Sequence, residues 1–369
     1  MTLRVNGKVV TPTGVIRQGC VEIEGDRIRA VAEYPSVRDG HWIVPGFVDM
    51  HTHGGGGHTF TTGDADSARE AAAFHLRHGT TTLLASLVSS PFELMRDAIA
   101  AFRPLVSSGV LAGVHFEGPY LSAARCGAQN PEFLRDPATD ELAELIELGA
   151  GAVRMVTLAP ERDGALAAIK LLTAHGVVAA VGHTDATWEQ TRAAVAAGAS
   201  VGTHLFNGMR PVHHREPGPV VALLDAPNVV CELVADGVHL HDGMLCFATS
   251  VAGPERAALI TDAMAAAGMP DGEYELGGQA VTVADGVARL SDGGAIAGST
   301  LTMDAALRHA VAAGIPMSDA CRMVATTPAR AIGLGDKVGS VQIGLRADLV
   351  VLDDDLNVVR VMRAGSWLE

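Results

Sequence analysis

From its start to about position 44 the chain alternates short apolar runs with turn residues, at 3–5, 7–10, 20–24 and, beyond the Gly25-Asp26 turn, 27–31. Runs of this length bounded by Gly and Asp predict β-strands. At Pro45 the pattern changes. Apolar runs of strand length at 45–50, 80–89, 110–117, 152–158, 177–183, 199–205, 228–236 and 256–262 now alternate with Ala-rich segments of helical period, among them 67–78, 139–148, 164–175, 187–197 and 300–313. Repeated βα units imply a parallel sheet, and eight of them predict a (β/α)8 barrel of the TIM type, ringed by helices.

After the eighth run comes a Gly-rich piece, 270–298, in which 279–283 and 287–290 flank Asp285-Gly286 as an inserted hairpin. It is expected to take no part in the chemistry beyond its end, Ile296-Ala297-Gly298. From about Gly339 the pattern is β-like again, at 347–352 and 358–362. The expected organisation is therefore a small β domain assembled from 1–44 and 339–369, with the catalytic barrel at 45–338 between its two parts.

Composition narrows the function. A chain of 369 residues, 48% hydrophobic and 19% charged, can bury one large core. A formal charge of −15 without any Lys/Arg cluster in the sequence argues against nucleic acid and anionic membrane as partners. The five cysteines, Cys20, Cys126, Cys231, Cys246 and Cys321, are scattered and contain no Cys-x-x-Cys. That argues against a disulfide framework and a zinc knuckle, and predicts a reducing compartment. No signal-like start and no membrane-length apolar run is present, so the expectation is a soluble cytoplasmic protein.

The chemistry gathers where the barrel places it, at the C-terminal strand ends. The first run ends in His51-Thr-His53, whose imidazoles, two apart on a strand, point to one side, and the four following glycines leave space above them. The third ends in His115-Phe-Glu117, the fifth in His183-Thr-Asp185, the sixth in His204-Leu-Phe-Asn207, the seventh leads to Asp236-Gly-Val-His239 and the eighth to Thr261-Asp262. Imidazoles with carboxylates suit a divalent ion such as zinc. Taken singly, each of these residues also reads as a satisfied core or rim residue; it is their recurrence at strand ends that marks a site. His115 reads equally well as a site residue and as a structural one.

Taken together, Pro45-Gly-Phe-Val-Asp-Met-His-Thr-His53, His115-Phe-Glu-Gly-Pro-Tyr-Leu121, Gly182-His-Thr-Asp-Ala186, Thr203-His-Leu-Phe-Asn-Gly-Met209, Arg215-Glu-Pro-Gly218, Ala235-Asp-Gly-Val-His239 and Thr261-Asp-Ala-Met264 resemble the N-acetylglucosamine-6-phosphate deacetylases of the amidohydrolase superfamily, nearly from end to end. The resemblance implies metal-dependent hydrolysis of the N-acetyl group of N-acetylglucosamine 6-phosphate, giving glucosamine 6-phosphate and acetate, in amino-sugar catabolism and cell-wall sugar recycling. It also implies a homodimer. By the same resemblance Glu117, His183 and His204 hold an essential ion, and His51 and His53 a second one, since family members with a single ion often carry Gln-x-Asn in place of His-x-His. Asp262 would move the proton and His239 would bond near the acetyl carbonyl. Asn207, Gly208 and Arg215 would meet the phosphate, Arg215 from the neighbouring subunit, with Ala128, Gln129, Asp236, Ile296, Ala297 and Gly298 around the sugar.

An amide is a poor electrophile and water a poor nucleophile, and one Lewis acid addresses both difficulties. Phosphate oxygens want donors, which a loop N–H and a guanidinium provide. Without its Glu216-Pro-Gly218 context Arg215 would read as half of a surface ion pair. In the loop 125–131 the chain departs from the family, with Gln129 where a histidine is common and an unexpected Cys126.

Overall fold

The computed structural model describes residues 2–35 and 40–369. Eight strands form one parallel sheet in sequence order: β1 (Phe47–Asp49), β2 (Thr80–Leu87), β3 (Gly113–Glu117), β4 (Val153–Leu158), β5 (Val178–Val181), β6 (Val201–Gly202), β7 (Val230–Val234) and β8 (Ala257–Ile260). All eight lie inside the apolar runs of the sequence and are shorter than them. In the fifth, sixth and eighth runs the surplus at the C-terminal end carries His183, His204 and Asp262, while Glu117 is the last residue of β3 itself and His51 and His53 follow β1. Every residue of β2 is buried, as expected for a strand covered on both faces.

The sheet closes into a barrel through side chains as well as main chain. Asp49 at the end of β1 accepts from the Thr261 hydroxyl at 2.6 Å, and its other oxygen lies 3.3 Å from the His51 and Thr261 amides. Beyond it, the Asp262 N–H donates to the His51 carbonyl at 2.9 Å and the His53 N–H to that of Ala263 at 2.7 Å. Burial pushes the Asp49 carboxyl up to about 7 despite these donors. The outer helices include Ala65–Arg77, Thr139–Gly149, Ala165–Ala174, Trp188–Ala197 and Met303–Ala312, each within a few residues of the helical segment in the sequence.

The two chain ends build a seven-stranded sheet in the order Ser366–Trp367, Val358–Arg363, Leu349–Leu352, Trp42–Pro45, Thr2–Thr11, Gly14–Glu24, Arg27–Glu33. Trp42–Pro45 is its keystone, antiparallel to Leu349–Leu352 and parallel to Thr2–Thr11. Val9, Val21, Ile23, Ile43, Leu349 and Met362 give it a core of its own. The runs at 3–5 and 7–10 are one strand, not two. A register shift between Gly7 and Val9 interrupts the apolar alternation without ending the pairing.

The insertion is also larger than its sequence suggests. β9 (Gly272–Leu276), β10 (Gln279–Ala284) and β11 (Val287–Leu290) form a three-stranded antiparallel sheet. β9 was hidden by its polar composition, Gly-Glu-Tyr-Glu-Leu, since only one of its faces is covered.

Candidate metal centre and active site

Two groups of donors meet over the barrel axis. In the first, Glu117 Oε1 lies 2.8 Å from His204 Nε2 and 3.1 Å from His183 Nε2, and the two nitrogens are 3.1 Å apart. In the second, His51 Nε2 and His53 Nε2 are 3.2 Å apart, and Asp262 Oδ1 lies 3.5 and 3.2 Å from them. Glu117 joins the groups, because its Oε2 is 3.2 Å from His53 Nε2. All of these residues are buried.

Both sets fit a divalent cation. Four donors about 2.0 Å from a tetrahedral ion stand about 3.3 Å from one another, which matches these separations. The hydrogen bonds behind the rings point the same way. His51 Nδ1 faces Glu232 Oε2 at 3.0 Å, His53 Nδ1 the Ser86 carbonyl at 3.1 Å, His183 Nδ1 the Arg125 carbonyl at 2.8 Å and His204 Nδ1 the Asn207 carbonyl at 3.1 Å. Each acceptor claims the Nδ1 proton. Each Nε2 is left with a lone pair directed at the shared centre, an arrangement that a cation satisfies and that imidazoles alone do not.

The backbone bends sharply to bring these groups inward. His183, His204 and Asp262 have φ values of 43°, 25° and 51°, a region costly for residues with a Cβ and concentrated at functional sites. Gly298 makes the Asp262 turn possible, since a Cβ there would stand 2.8 Å from the Asp262 carbonyl oxygen. Gly208 similarly leaves room beside His183, whose Nδ1 would lie 2.7 Å from an added Cβ.

The cavity above these donors has a volume of about 200 Å³, and Ala128, Asn207, Gly208, His239, Ile296 and Gly298 are in its wall. His239 Nδ1 is 2.6 Å from Asp236 Oδ2, and Asp236 Oδ1 accepts from the Val238 and His239 amides. Burial opposes charge on the His239 ring, but the carboxylate prevails and holds its pKa above the ordinary histidine value. Asp236 therefore stands behind His239 and outside the cavity wall. Ala297 is buried in the small core of the insertion, so only its neighbours Ile296 and Gly298 reach the opening. Burial also disfavours charge on Asp262, yet the His51 and His53 imidazoles keep its carboxyl well below the ordinary range.

Gln129 spans two partners. Its amide donates to Glu117 Oε2 at 2.7 Å and its Oε1 accepts from the Ser89 N–H at 2.6 Å. His115 is structural: Ser86 Oγ and Thr157 Oγ1 take its two nitrogens, at 2.9 and 2.8 Å, and it packs edge-on beneath His51. Arg215 lies on the exposed loop after β6, with its guanidinium 2.7 Å from His214 Nε2 and away from the cavity of its own chain. The insertion also reaches the site at a point before its Ile296–Gly298 end. Leu276 at the end of β9 forms part of the wall, and Gln279 Nε2 donates to the Ala128 carbonyl at 2.6 Å.

Sequence reasoning missed Glu232, which is fully buried on β7. A carboxylate in the middle of Val230-Cys-Glu-Leu-Val234 breaks an otherwise apolar strand, and that break was the available signal.

Comparison with known proteins agrees with this architecture. The amidohydrolase family profile matches residues 42–368. The N-acetylgalactosamine-6-phosphate deacetylase of Escherichia coli O157:H7 is 38% identical over 97% of each chain, and the N-acetylglucosamine-6-phosphate deacetylase of Lysinibacillus sphaericus is 35% identical over 98% of this chain and 96% of that one. The chain belongs to the N-acetylglucosamine-6-phosphate deacetylase family of amidohydrolases. Among solved structures, a mutant of the N-acetyl-D-glucosamine-6-phosphate deacetylase of Mycobacterium smegmatis in complex with N-acetyl-D-glucosamine-6-phosphate superposes with a TM-score of 0.95 at 49% identity, over 100% of this chain and 98% of that one. As in any amidohydrolase of this fold, the donors occupy the C-terminal ends of the strands. No helix among the described residues is long and apolar enough to cross a membrane.

Proposed function

We propose that the protein hydrolyses N-acetylglucosamine 6-phosphate to glucosamine 6-phosphate and acetate, with zinc as its ion. The reading rests above all on the two donor groups joined by Glu117 beneath a cavity that also holds His239. Glu117, His183 and His204 would hold one ion, and His51, His53 and Asp262 a second. Three buried carboxylates, Glu117, Glu232 and Asp262, meet four imidazoles there, so neutral rings leave three negative charges that one divalent ion does not offset and two do. A divalent ion in such a site polarises an amide carbonyl and makes water a stronger acid.

The chain's own residues supply the rest. Asp262 accepts a proton from the attacking water as its oxygen bonds to the acetyl carbon, then gives that proton to the nitrogen as the C–N bond breaks. Acetate and the free amine result. His239, steadied by Asp236, hydrogen-bonds the acetyl oxygen as negative charge develops on it. Leu276, Ile296 and Gly298 flank the sugar, and Asn207 with the Gly208 amide faces the phosphate.

Among the described residues no Lys or Arg is in the cavity wall, so a phosphate bound there finds no cation in its own chain. We infer that the cation is Arg215 of a second subunit in a homodimer, since this arginine is exposed and ion-paired to no carboxylate among the described residues. Five cysteines without a disulfide support a cytoplasmic setting. The deciding experiment measures acetate release from the 6-phosphates of N-acetylglucosamine and N-acetylgalactosamine, before and after chelation, with unphosphorylated sugar as control. Both epimers are needed because relatives with either name align over nearly the whole chain. Chelator-insensitive release, or equal turnover of the unphosphorylated sugar, would defeat the proposal.

A further inference from the structure

At the opposite end of the barrel, below the N-terminal ends of β2, β3 and β4, lies a second cavity of about 170 Å³ between the barrel and the seven-stranded sheet. Four basic residues line it: Arg154 from β4, Lys337 and Arg346 from the segment between the last helix and Leu349–Leu352, and Arg363 from the sheet. They are far apart in sequence, which is why no basic cluster shows there. Asp348 takes Arg346, at 2.8 Å from its Nε. Among the described residues no carboxylate lies within ion-pair distance of Arg154, Lys337 or Arg363. Three cations without an ion-pair partner among the described residues thus surround one small cavity, with Asp348 acting on Arg363 only from a distance, in a chain whose net charge is −15.

The details show a place prepared for them. Gly113 leaves the space that the Arg154 stem fills, since a Cβ there would collide with Arg154 Cγ. Arg154 Nε is buried without an acceptor among the described residues, a costly state for a charged donor. Arg363 donates to the Gly109 carbonyl, which fixes its guanidinium at the cavity. Burial and the nearby Arg346 charge hold the Arg363 pKa below the ordinary arginine value. Like charges gathered this way repel one another unless an anion sits between them.

We propose that this cavity is an anion site for a phosphate group, either inorganic phosphate or the head of a small phosphomonoester, distinct from the substrate site at the other end of the barrel. Guanidinium forks match phosphate oxygens in pairs, and Lys337 adds a point charge at the rim. The donors belong to the barrel, to the segment after it and to the end sheet. A bound phosphate ties these parts together and stabilises the folded chain by linkage.

Equilibrium dialysis of the metal-loaded protein with labelled inorganic phosphate tests this, comparing the parent with Arg154→Met, Lys337→Met and the double variant. The double variant should bind one phosphate fewer per subunit than the parent while kcat/KM for the sugar phosphate is unchanged. Lys337 is exposed, so Lys337→Met keeps the fold and should weaken that one site by roughly 10–150-fold, the worth of a charge-assisted hydrogen bond. Arg215→Ala, which alters only the proposed substrate contact, should leave the site filled. Displacement of the label by glycerol 3-phosphate assigns the site to phosphomonoesters, and displacement by inorganic phosphate alone assigns it to the free ion. Equal phosphate binding in the parent, Lys337→Met and the double variant overturns the proposal.

Discussion

The two donor groups at the barrel mouth share Glu117 and differ in what stands behind them. His183 and His204 lean on main-chain carbonyls of loops, those of Arg125 and Asn207. That support depends on loop order, which Asp185 provides by binding Arg125 at 2.8 Å and Arg210 at 2.9 Å. His51 and His53 lean on the strands, through the Glu232 carboxylate on β7 and the Ser86 carbonyl on β2. The first group is therefore held by its loops, and the second by the barrel wall. A carboxylate acceptor also makes its imidazole a stronger donor to a cation than a carbonyl does. The difference is one of support, strand-borne beneath the group that includes Asp262 and loop-borne beneath the other.

Removing the shared member should have the largest effect. Glu117→Ala is expected to abolish binding of both ions and reduce acetate release to the blank; elemental analysis and the acetate assay check the two parts. Full metal content with normal turnover in that variant would dissolve the comparison altogether. Asp262→Asn touches only the second group and the proton path. It should lower kcat by about 10²–10⁴-fold, the usual contribution of general acid–base catalysis, with KM little changed. A kcat near that of the parent would assign the proton to another residue.

Outside both groups, Arg215→Ala should lower kcat/KM for the 6-phosphate by roughly 10–150-fold and spare the unphosphorylated sugar. Subunit exchange sharpens the result. If the arginine acts across the dimer, mixing Arg215→Ala with Asp262→Asn chains creates one intact site and raises activity on the 6-phosphate above that of either variant alone. A verified mixed dimer without that rise would confine Arg215 to its own chain.

The barrel was legible in the sequence because its strands are buried on both faces and read as unbroken apolar runs, with helices of a different period between them. β9 was not, since one covered face leaves a mixed composition, and neither was the continuity of Thr2–Thr11 across its bulge. Among site residues, the strand-end histidines stood out by recurrence. The supporting residues did not, because a partner such as Ser86 or Arg210 is defined by a contact between separate strands and loops that no local pattern encodes. The same holds for the basic cavity, whose four cations come from three separate stretches of chain. Spacing reveals groups delivered by one strand and hides those that meet only after the barrel closes.

The smallest expected effect separates the two donor groups most cleanly. Glu232 Oε2 accepts from His51 Nδ1 and, at 3.1 Å, from the His204 N–H, while its Oε1 has no partner among the described residues. Glu232→Gln keeps the shape and replaces the carboxylate by a weaker acceptor, so His51 becomes a poorer donor while His53 and Asp262 are untouched. Loss of a partner behind a ligating histidine typically costs 10–100-fold in metal affinity. Zinc titration of the stripped protein should therefore show two steps in the parent, and in Glu232→Gln only the step belonging to His51, His53 and Asp262 should weaken, by about that factor. The His204 N–H contact is the complication, because it links the residue to the other group as well. If both steps weaken equally, Glu232 acts on the whole mouth through β6 and β7 and the division between strand-borne and loop-borne groups fails. If neither moves, the hydrogen bond to His51 has no bearing on the ion, and the buried carboxylate must be accounted for by packing alone.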